Sequence, residues 1–270
     1  MLILLQRSCL SGPRSPTLAV TDSRRSWSPN TLKTLLALRH MGLDFKHEWL
    51  SYPDIAPLLK SKGVAKRDVP SEREYTLPAI EVDVPQSSES STVMNDSFAI
   101  AEYLEAQYHH HRQPQPGATT TTTTTSAPSL FPLQSKPFAM LVPESIRQVA
   151  ETLYPLNVAR YPDILDERGI EYIRATREPI IGPLQAIDGD PARREELWGR
   201  LLEVVRPIAE LLEVYREEGP FFLGSQRSYA DIICVAFFQY LRRCNEKVFE
   251  RLVETEPAFR RQYDACEDIL

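Results

Sequence analysis

The sequence predicts an α/β domain followed by an all-helical domain. Strand patterns alternate with helical patterns up to about residue 112, in the order β-α-β-α-β-β-α. A threonine- and proline-rich stretch over 113–136 then interrupts the chain, and its composition is typical of a linker without a packed core. From 137 to 270 only helical patterns follow. We interpret residues 1–16, which precede the first predicted strand, as an extension.

Composition and charge exclude several classes of partner. The 270 residues include 42% hydrophobic residues, enough for a packed core, and the formal net charge is −6. Nucleic acids and anionic membranes favour a basic surface, so we expect neither as a partner. The four cysteines show neither a C-x-x-C pair nor a metal-ligand spacing. We therefore expect no metal and a reducing, cytoplasmic location, with a mitochondrial presequence within residues 1–25 as the alternative.

The first domain is predicted to begin with a strand at 17–21. A strand at 1–5 is a second candidate, but it leaves a longer loop before the first helix, so we prefer 17–21. The first helix is predicted from Pro29 to Met41. Ser28 is a good N-cap, proline suits the first helical position, and Gly42 is a natural stop.

The remaining elements of this domain follow from alternating apolar residues and from caps. Pro78 lies within a strand predicted at 75–82, where it cannot donate a ladder hydrogen bond, and such a proline often marks a cis peptide bond or an edge. Asp96 or Ser97 caps the last helix. The other predicted elements are a strand at 45–50, a short helical piece that ends near Gly63, and a hairpin strand at 92–95.

The second domain is predicted to be built around one apolar helix. Ser228 and Asp231 form a capping box ahead of a strongly apolar run, and a helix this apolar must be buried. Helical patterns cover roughly 137–160, 164–178, 191–217, 229–243 and 246–253.

The start of the first helix is the expected reaction centre. A helix N-terminus presents unpaired N–H donors and a positive dipole, so a hydroxyl there can hold a thiolate or another anion. Ser28 has this position, although a role as a cap alone is the simpler alternative.

Five segments occur in an order that resembles the cytosolic glutathione transferase superfamily, in particular its fungal and etherase-like, serine-type classes. They span about residues 17–266 and read S-P-N-T-L-K at 28–33, E-W-L-S-Y-P-D-I at 48–55, T-L-P-A-I at 76–80, D-S-F-A-I at 96–100 and S-Y-A-D at 228–231. The resemblance implies a thioredoxin-like domain over 17–112, joined by the insertion at 113–136 to an all-helical domain over 137–270.

The resemblance also implies glutathione as co-substrate, with its thiol at the start of the first helix. Ser28 is then the group that stabilises the thiolate, because a hydroxyl donor and the helix dipole lower the pKa of a thiol from about 8.5 toward neutrality. Ser26 and Asn30 are competing donors, and the sequence does not rank the three.

The rest of the implied glutathione site comes from two later segments. Leu77, which precedes cis-Pro78, offers its backbone to the cysteinyl amide, while Asp96 and Ser97 hold the γ-glutamyl end. Asp96 and Ser97 can serve as helix caps at the same time.

The leading functional hypothesis is a glutathione transferase that conjugates or cleaves a hydrophobic, aromatic electrophile in secondary metabolism or detoxification, as a homodimer. Thiol exchange usually needs a cysteine where Ser28 stands, and a non-catalytic ligand carrier or regulatory protein is the non-enzyme alternative. The acceptor pocket is expected between the first helix and the start of the helical domain, lined by Trp27, Tyr154 and Tyr161.

Overall fold

The first domain follows the predicted order β-α-β-α-β-β-α in the computed structural model, which describes residues 2–6, 26–67, 74–82, 92–109, 127–142, 154–155, 157–186 and 190–270. The sheet and its helices form the predicted thioredoxin-like domain. Its elements are β1 (Leu2–Gln6), α1 (Pro29–His40), β2 (Lys46–Leu50), α2 (Tyr52–Ser61), β3 (Ala79–Val82), β4 (Thr92–Asn95) and α3 (Ser97–Leu104), which continues as a π-helical turn over Glu105–His109.

The sheet has the strand order β2-β1-β3-β4. β1 runs antiparallel to β2 and parallel to β3, and β4 pairs antiparallel with β3. The direction of β1 differs from that of a simple β-α-β crossover, in which the two strands are parallel.

The position of β1 corrects the preferred prediction. The strand lies at Leu2–Gln6, close to the second candidate at 1–5, so these residues belong to the sheet and not to an extension. The segment 17–21 lies outside the described residues. Loop length alone does not decide between two candidate strands, since the free-energy cost of closing a connection grows only slowly with its length. Residues 113–126 also lie outside the described residues, and the boundaries of the insertion stay a prediction.

Helix α1 connects the sheet to the helical domain. It begins after Ser28, whose backbone is extended, and its inward face packs mainly against the helix over 229–244 and also against α3. It ends at His40, and Gly42 has a φ of 63°, a conformation that favours glycine. The N-terminus of α1 therefore opens at the boundary between the two domains.

The second domain is helical throughout its described part, apart from isolated bridges within 221–226. The sequence missed the last helix, which is only two turns long and mostly polar. The helices are α4 (136–142), α5 (Glu167–Ile181), α6 (Pro191–Glu213), α7 (Tyr229–Cys244), α8 (Glu246–Thr255) and α9 (Pro257–Asp264), with 3-10 turns at Pro132–Gln134 and Tyr161–Asp163.

Helix α7 is the core of the helical domain, as predicted. Every residue from Tyr229 to Leu241 is buried. The predicted capping box is present, since the carboxylate of Asp231 accepts hydrogen bonds from the backbone N–H and the hydroxyl of Ser228 at 2.8 and 2.7 Å. The same carboxylate accepts from the amide of Gln262 at 2.8 Å, which ties α9 to α7. This network fixes the start of α7.

Two sets of polar contacts join the domains on either side of α1. The hydroxyl of Tyr229 donates to the backbone oxygen of Ser97 at 2.7 Å, which links α7 to α3. The guanidinium of Arg168 forms two bonds to Asp54 at 2.7 and 2.8 Å, which links α5 to α2. The N-terminus of α1 thus faces a cleft that both domains line. Among the described helices, none is both long enough and apolar enough to cross a bilayer.

Candidate active site in the cleft at the start of helix α1

Two neighbouring cavities occupy the cleft. The first, here called the polar cavity, has a volume of about 370 Å³. The second, here called the tyrosine cavity, has a volume of about 350 Å³. The residues that line both are Asn30, Arg67, Thr76 and Leu77, so these four form the boundary. The polar cavity adds Lys33, Pro78, Asp96, Ser97, Phe98, Tyr229 and Ile233, and the tyrosine cavity adds Tyr52, Ile55, Tyr75, Tyr154, Tyr172 and Arg177.

The three candidate thiol donors have different positions. Asn30 is exposed and lines both cavities. Ser28 is 9% exposed and its hydroxyl makes no capping bond, while Ser26 is buried and its hydroxyl has no hydrogen-bond partner among the described residues. Neither serine is among the described residues that line the two cavities. The geometry therefore brings Asn30, and not the two serines, to the boundary.

Lys33 lies one helical turn after Asn30 and faces the polar cavity, a position that the sequence reasoning missed although it belongs to the S-P-N-T-L-K segment. Its ammonium donates to the side-chain oxygen of Asn30 at 2.9 Å. An ammonium can only donate, so the amide nitrogen of Asn30 remains available as a donor to another group. Burial lowers the pKa of Lys33 to about 8, and the nearby charge of Asp96 acts in the opposite direction.

The segment that contains the cis-proline, just before β3, lines the cleft. The Leu77–Pro78 peptide bond is cis, as the sequence indicated, and both residues line the polar cavity. The regular strand begins only at Ala79, and not at 75 as predicted, because proline has no N–H to pair in the ladder. The guanidinium of Arg67 reaches over this segment and donates to the hydroxyl of Thr76 at 3.4 Å.

Asp96 and Ser97 lie where the sequence placed them, at the start of α3. Asp96 is the N-cap, and one of its carboxylate oxygens accepts from the backbone N–H groups of Phe98 and Ala99 at 2.9 and 3.1 Å. Its φ of 79° is unusual for a residue with a side chain, and such conformations occur preferentially at ligand sites. Asp96, Ser97 and Phe98 all line the polar cavity.

The tyrosine cavity corrects part of the predicted aromatic lining. Tyr154 lines it, but Trp27 and Tyr161 do not, because both belong to the hydrophobic core and are only 3% and 5% exposed. Their rings lie 4.8 Å apart between centroids, and Tyr161 also contacts Tyr154 edge to face at 6.3 Å. Trp27 and Tyr161 therefore support the wall of the cavity from behind.

Two further tyrosines form the wall itself. The rings of Tyr52 and Tyr172 stack at 5.6 Å between centroids with a 13° angle between their planes. Tyr52 belongs to the Y-P-D-I segment, which marked the region without indicating a pocket. Tyr172 and Arg177 carried no such signal, because they reach the cavity only through the packing of α5 against α2. Among the described residues, no three His, Cys, Asp or Glu side chains are grouped as metal ligands.

Comparison with known families identifies the class of protein. The glutathione S-transferase N-terminal domain matches residues 27–107, and the glutathione S-transferase C-terminal domain matches residues 139–261. Together these ranges cover more than half of the chain. The chain therefore belongs to the glutathione S-transferase family, which confirms the resemblance carried by its sequence motifs; the serine-type class stays a prediction.

Individual relatives agree with this assignment. The glutathione S-transferase-like protein ustS of Aspergillus flavus is 29% identical in an alignment 252 residues long, which covers 85% of this chain and 79% of the relative. The crystal structure of glutathione transferase GSTFuA3 from Phanerochaete chrysosporium is 26% identical, with a TM-score of 0.74 over 100% of this chain and 98% of that chain. The glutathione S-transferase CsGST63524 of Ceriporiopsis subvermispora, solved in complex with glutathione, is 24% identical, with a TM-score of 0.73 and the same coverage.

Proposed function

We propose that this protein is a glutathione transferase that binds glutathione in the polar cavity and directs its thiolate at an aromatic electrophile in the tyrosine cavity. The observation that carries the proposal is the shared boundary. Asn30 and Leu77 line both cavities, so a thiol held beside them faces the second cavity. Holding two reactants in contact in this way is a large source of rate enhancement.

The charges of the polar cavity suit glutathione, which carries two carboxylates and one ammonium. In this proposal the free oxygen of Asp96 accepts from the ammonium, and the N–H of Ser97 and the ammonium of Lys33 bind the neighbouring carboxylate. The backbone of Leu77 pairs with the cysteinyl amide, and Arg67 binds the glycine carboxylate. Each charged group of the ligand then meets a group of opposite charge.

In this proposal the side chain of Asn30 stabilises the thiolate of glutathione by a hydrogen bond. Its oxygen accepts from Lys33, so its amide nitrogen is the donor left for the sulfur. The start of α1 and the charge of Lys33 add positive potential at the same place. The thiol proton leaves to solvent, and the sulfur lone pair forms the new C–S bond by addition or by displacement of a leaving group. Lys33 thus has two roles in this proposal, because it binds a ligand carboxylate and also orients the side-chain amide of Asn30.

We further propose that the protein is a cytoplasmic homodimer, as the family resemblance implies. Three apolar side chains are more than half exposed, that of Leu133 just before α4 and those of Met140 and Leu141 in its last turn, and such residues favour an interface. Sedimentation at micromolar concentration tests this. A persistent monomer near 30.8 kDa would contradict it.

Calorimetry with glutathione, followed by turnover assays on a panel of aromatic electrophiles, tests the transferase proposal. We expect binding and turnover with at least one nitro-activated aryl halide. Binding without turnover on any electrophile would instead favour a ligand carrier or regulatory protein, and the absence of glutathione binding would contradict both.

A further inference from the structure

Two pairs of polar side chains join the start of α2 to the start of α5 beside the tyrosine cavity. The guanidinium of Arg168 donates to both carboxylate oxygens of Asp54 at 2.7 and 2.8 Å, and the hydroxyl of Ser51 donates to the carboxylate of Asp166 at 2.8 Å. Each pair has one member in each domain. These four residues, Ser51, Asp54, Asp166 and Arg168, are here called the clasp.

The needs of the two helices do not account for the clasp. Arg168 is the second residue of α5, and a cation in the first turn opposes the helix dipole. Ser51 is the N-cap of α2, but its hydroxyl makes no capping bond and donates to the other domain instead. The Arg168 guanidinium holds the pKa of the Asp54 carboxyl below its usual value, so the pair is ionised at neutral pH. Both side chains therefore serve the contact between the domains.

The clasp surrounds the stacked rings that form the wall of the tyrosine cavity. Tyr52 lies between Ser51 and Asp54 in the chain, and Tyr172 follows Arg168 by four residues, which places the two on one face of α5. The rings of Tyr52 and Tyr172 are 5.6 Å apart between centroids and within 13° of parallel. The clasp and the stack are thus two parts of one contact between α2 and α5.

The width of the tyrosine cavity depends on this contact. Tyr52 and Ile55 line it from α2, while Tyr172 lines it from α5 and Tyr154 from the segment before α5. The volume of about 350 Å³ is near the lower end of the range for ligand pockets. A small change in the separation of α2 and α5 therefore changes which ring systems fit.

We propose that the clasp limits the size of the acceptor, so that the tyrosine cavity favours aromatic electrophiles of one or two rings over larger fused ring systems. This inference rests on the proposed function and names the size class of its acceptor. The four clasp residues are positioning residues. They act through Tyr52 and Tyr172 and lie outside the described lining of the cavity.

The test uses three glutathione conjugates that differ only in the group on sulfur, which is methyl, benzyl or pyrenylmethyl. The methyl conjugate measures binding to the polar cavity alone, and the other two add one ring or four fused rings on the acceptor side. Calorimetry gives the Kd of each. The quantity of interest is the Kd of the pyrenylmethyl conjugate divided by the Kd of the benzyl conjugate, here called the size ratio.

Arg168→Gln removes the ionic bond of the clasp. We expect the size ratio to fall by about two- to fivefold, the range for an exposed ion pair, because the benzyl conjugate loses wall contact while the pyrenylmethyl conjugate gains room. The methyl conjugate should bind as before. General destabilisation would instead weaken both larger conjugates. Arg168→Lys keeps the charge without the two-pronged geometry and should give an intermediate ratio.

Arg251→Gln is the matched control. Arg251 forms the same two-pronged bond to Glu195 at 2.7 and 2.8 Å, also between exposed side chains, and it joins α8 to α6 outside the described lining of both cavities. This variant should retain the wild-type size ratio.

Salt tests the clasp in the wild-type protein itself. The side chains of Arg168 and Asp54 are 62% and 43% exposed, so salt screens their attraction. Raising the ionic strength to about 1 M, where the screening length is about 3 Å, should lower the wild-type size ratio. The ratio in Arg168→Gln should change less, because only the general effect of salt on ring burial remains there.

The outcomes distinguish this inference from the proposed function. An equal size ratio in the wild-type protein and Arg168→Gln, or an equal fall in Arg251→Gln, would overturn the role of the clasp, whether or not the protein turns over electrophiles. A lowered ratio in Arg168→Gln alone, without turnover on any electrophile, would support the clasp and overturn the transferase reaction. Failure of the methyl conjugate to bind the wild-type protein would overturn both.

Discussion

The polar cavity and the tyrosine cavity share four boundary residues but are built in different ways. The polar cavity is formed by the starts of α1 and α3 and by the cis-proline segment, so much of its binding capacity belongs to the backbone. The tyrosine cavity is formed by side chains from α2, α5 and the loop before β3. Because backbone groups do not change with the side chains, substitutions in the tyrosine cavity can change which acceptor binds while the polar cavity still binds the same ligand.

The two cavities also differ in the charged residues that line them. The polar cavity contains both signs, with Lys33 and Arg67 opposite Asp96, as a zwitterionic peptide requires. The described lining of the tyrosine cavity is mostly aromatic or apolar, and its charged residues are Arg67 and Arg177. Substitutions that separate the two ligands therefore test whether the two cavities have the independent roles proposed for them.

The largest difference between the effect on glutathione binding and the effect on acceptor binding is expected at Asp96. Asp96→Asn removes one charge but keeps a residue that caps helices and tolerates a positive φ. We expect the Kd for glutathione to rise by about ten- to a hundredfold, because the ligand ammonium loses an ionic hydrogen bond. Calorimetry measures the change, and the binding of an aromatic electrophile in the tyrosine cavity should be unaffected.

Asp190→Asn is the matched control for replacing a capping aspartate by asparagine. Asp190 accepts from the backbone N–H of Arg193 at the start of α6, away from both cavities. A similar weakening of glutathione binding in this variant would mean that Asp96 acts only through helix stability.

A smaller effect is expected when the pH crosses the pKa of Lys33, near 8. Below this value Lys33 is an ammonium that attracts the ligand carboxylates, and above it the amine is neutral and the attraction is lost. The Kd for S-methylglutathione, which has no thiol to titrate, should therefore rise by up to about tenfold between neutral pH and roughly pH 9.

Lys33→Arg provides the comparison, because a guanidinium stays charged over this range. The variant should show a flatter dependence of Kd on pH. If the wild-type protein and the variant have the same profile, the titrating group belongs to the ligand and not to Lys33.

The smallest effect is expected at Tyr154, on the acceptor side. Tyr154→Ala removes one wall of the tyrosine cavity and should raise the acceptor KM a few-fold, at about 0.5–1.5 kcal/mol for a lost ring contact, while the glutathione Kd is unchanged. Steady-state kinetics with each substrate varied in turn measures both.

Tyr161→Ala serves as the contrast, because Tyr161 lies in the core behind Tyr154. It should lower the free energy of unfolding by about 3 kcal/mol. A change confined to the acceptor KM in this variant would mean that Tyr161 reaches the cavity after all.

The sequence was most informative where a local signal determines the structure. The start of α1, the capping box of Ser228 and Asp231, and the cap at Asp96 depend on a few neighbouring residues, and all three are present. These signals also located the polar cavity, because it uses helix starts and a proline that cannot enter the ladder.

The failures share a different cause. β1 was misplaced because strand-like runs occur at both 1–5 and 17–21, and only pairing with β2 and β3 distinguishes them. Trp27 and Tyr161 were placed in the pocket because their type suits it, although tertiary packing buries them. Arg177 was missed because its place in the lining of the tyrosine cavity depends on how α5 packs against α2. No pattern along the chain encodes that contact.

The central claim is that Asn30 stabilises the glutathione thiolate at the boundary of the two cavities. The most direct measurement is the pH titration of the thiolate absorbance of bound glutathione in the wild-type protein, Asn30→Ala and Ser28→Ala, each with glutathione at saturation. We expect the thiol pKa in the wild-type protein to lie below its usual value of about 8.5, Asn30→Ala to return it most of the way, and Ser28→Ala to leave it unchanged. If the thiol pKa in Asn30→Ala equals that in the wild-type protein and the thiol pKa in Ser28→Ala is raised, the claim is contradicted and the role belongs to the serine.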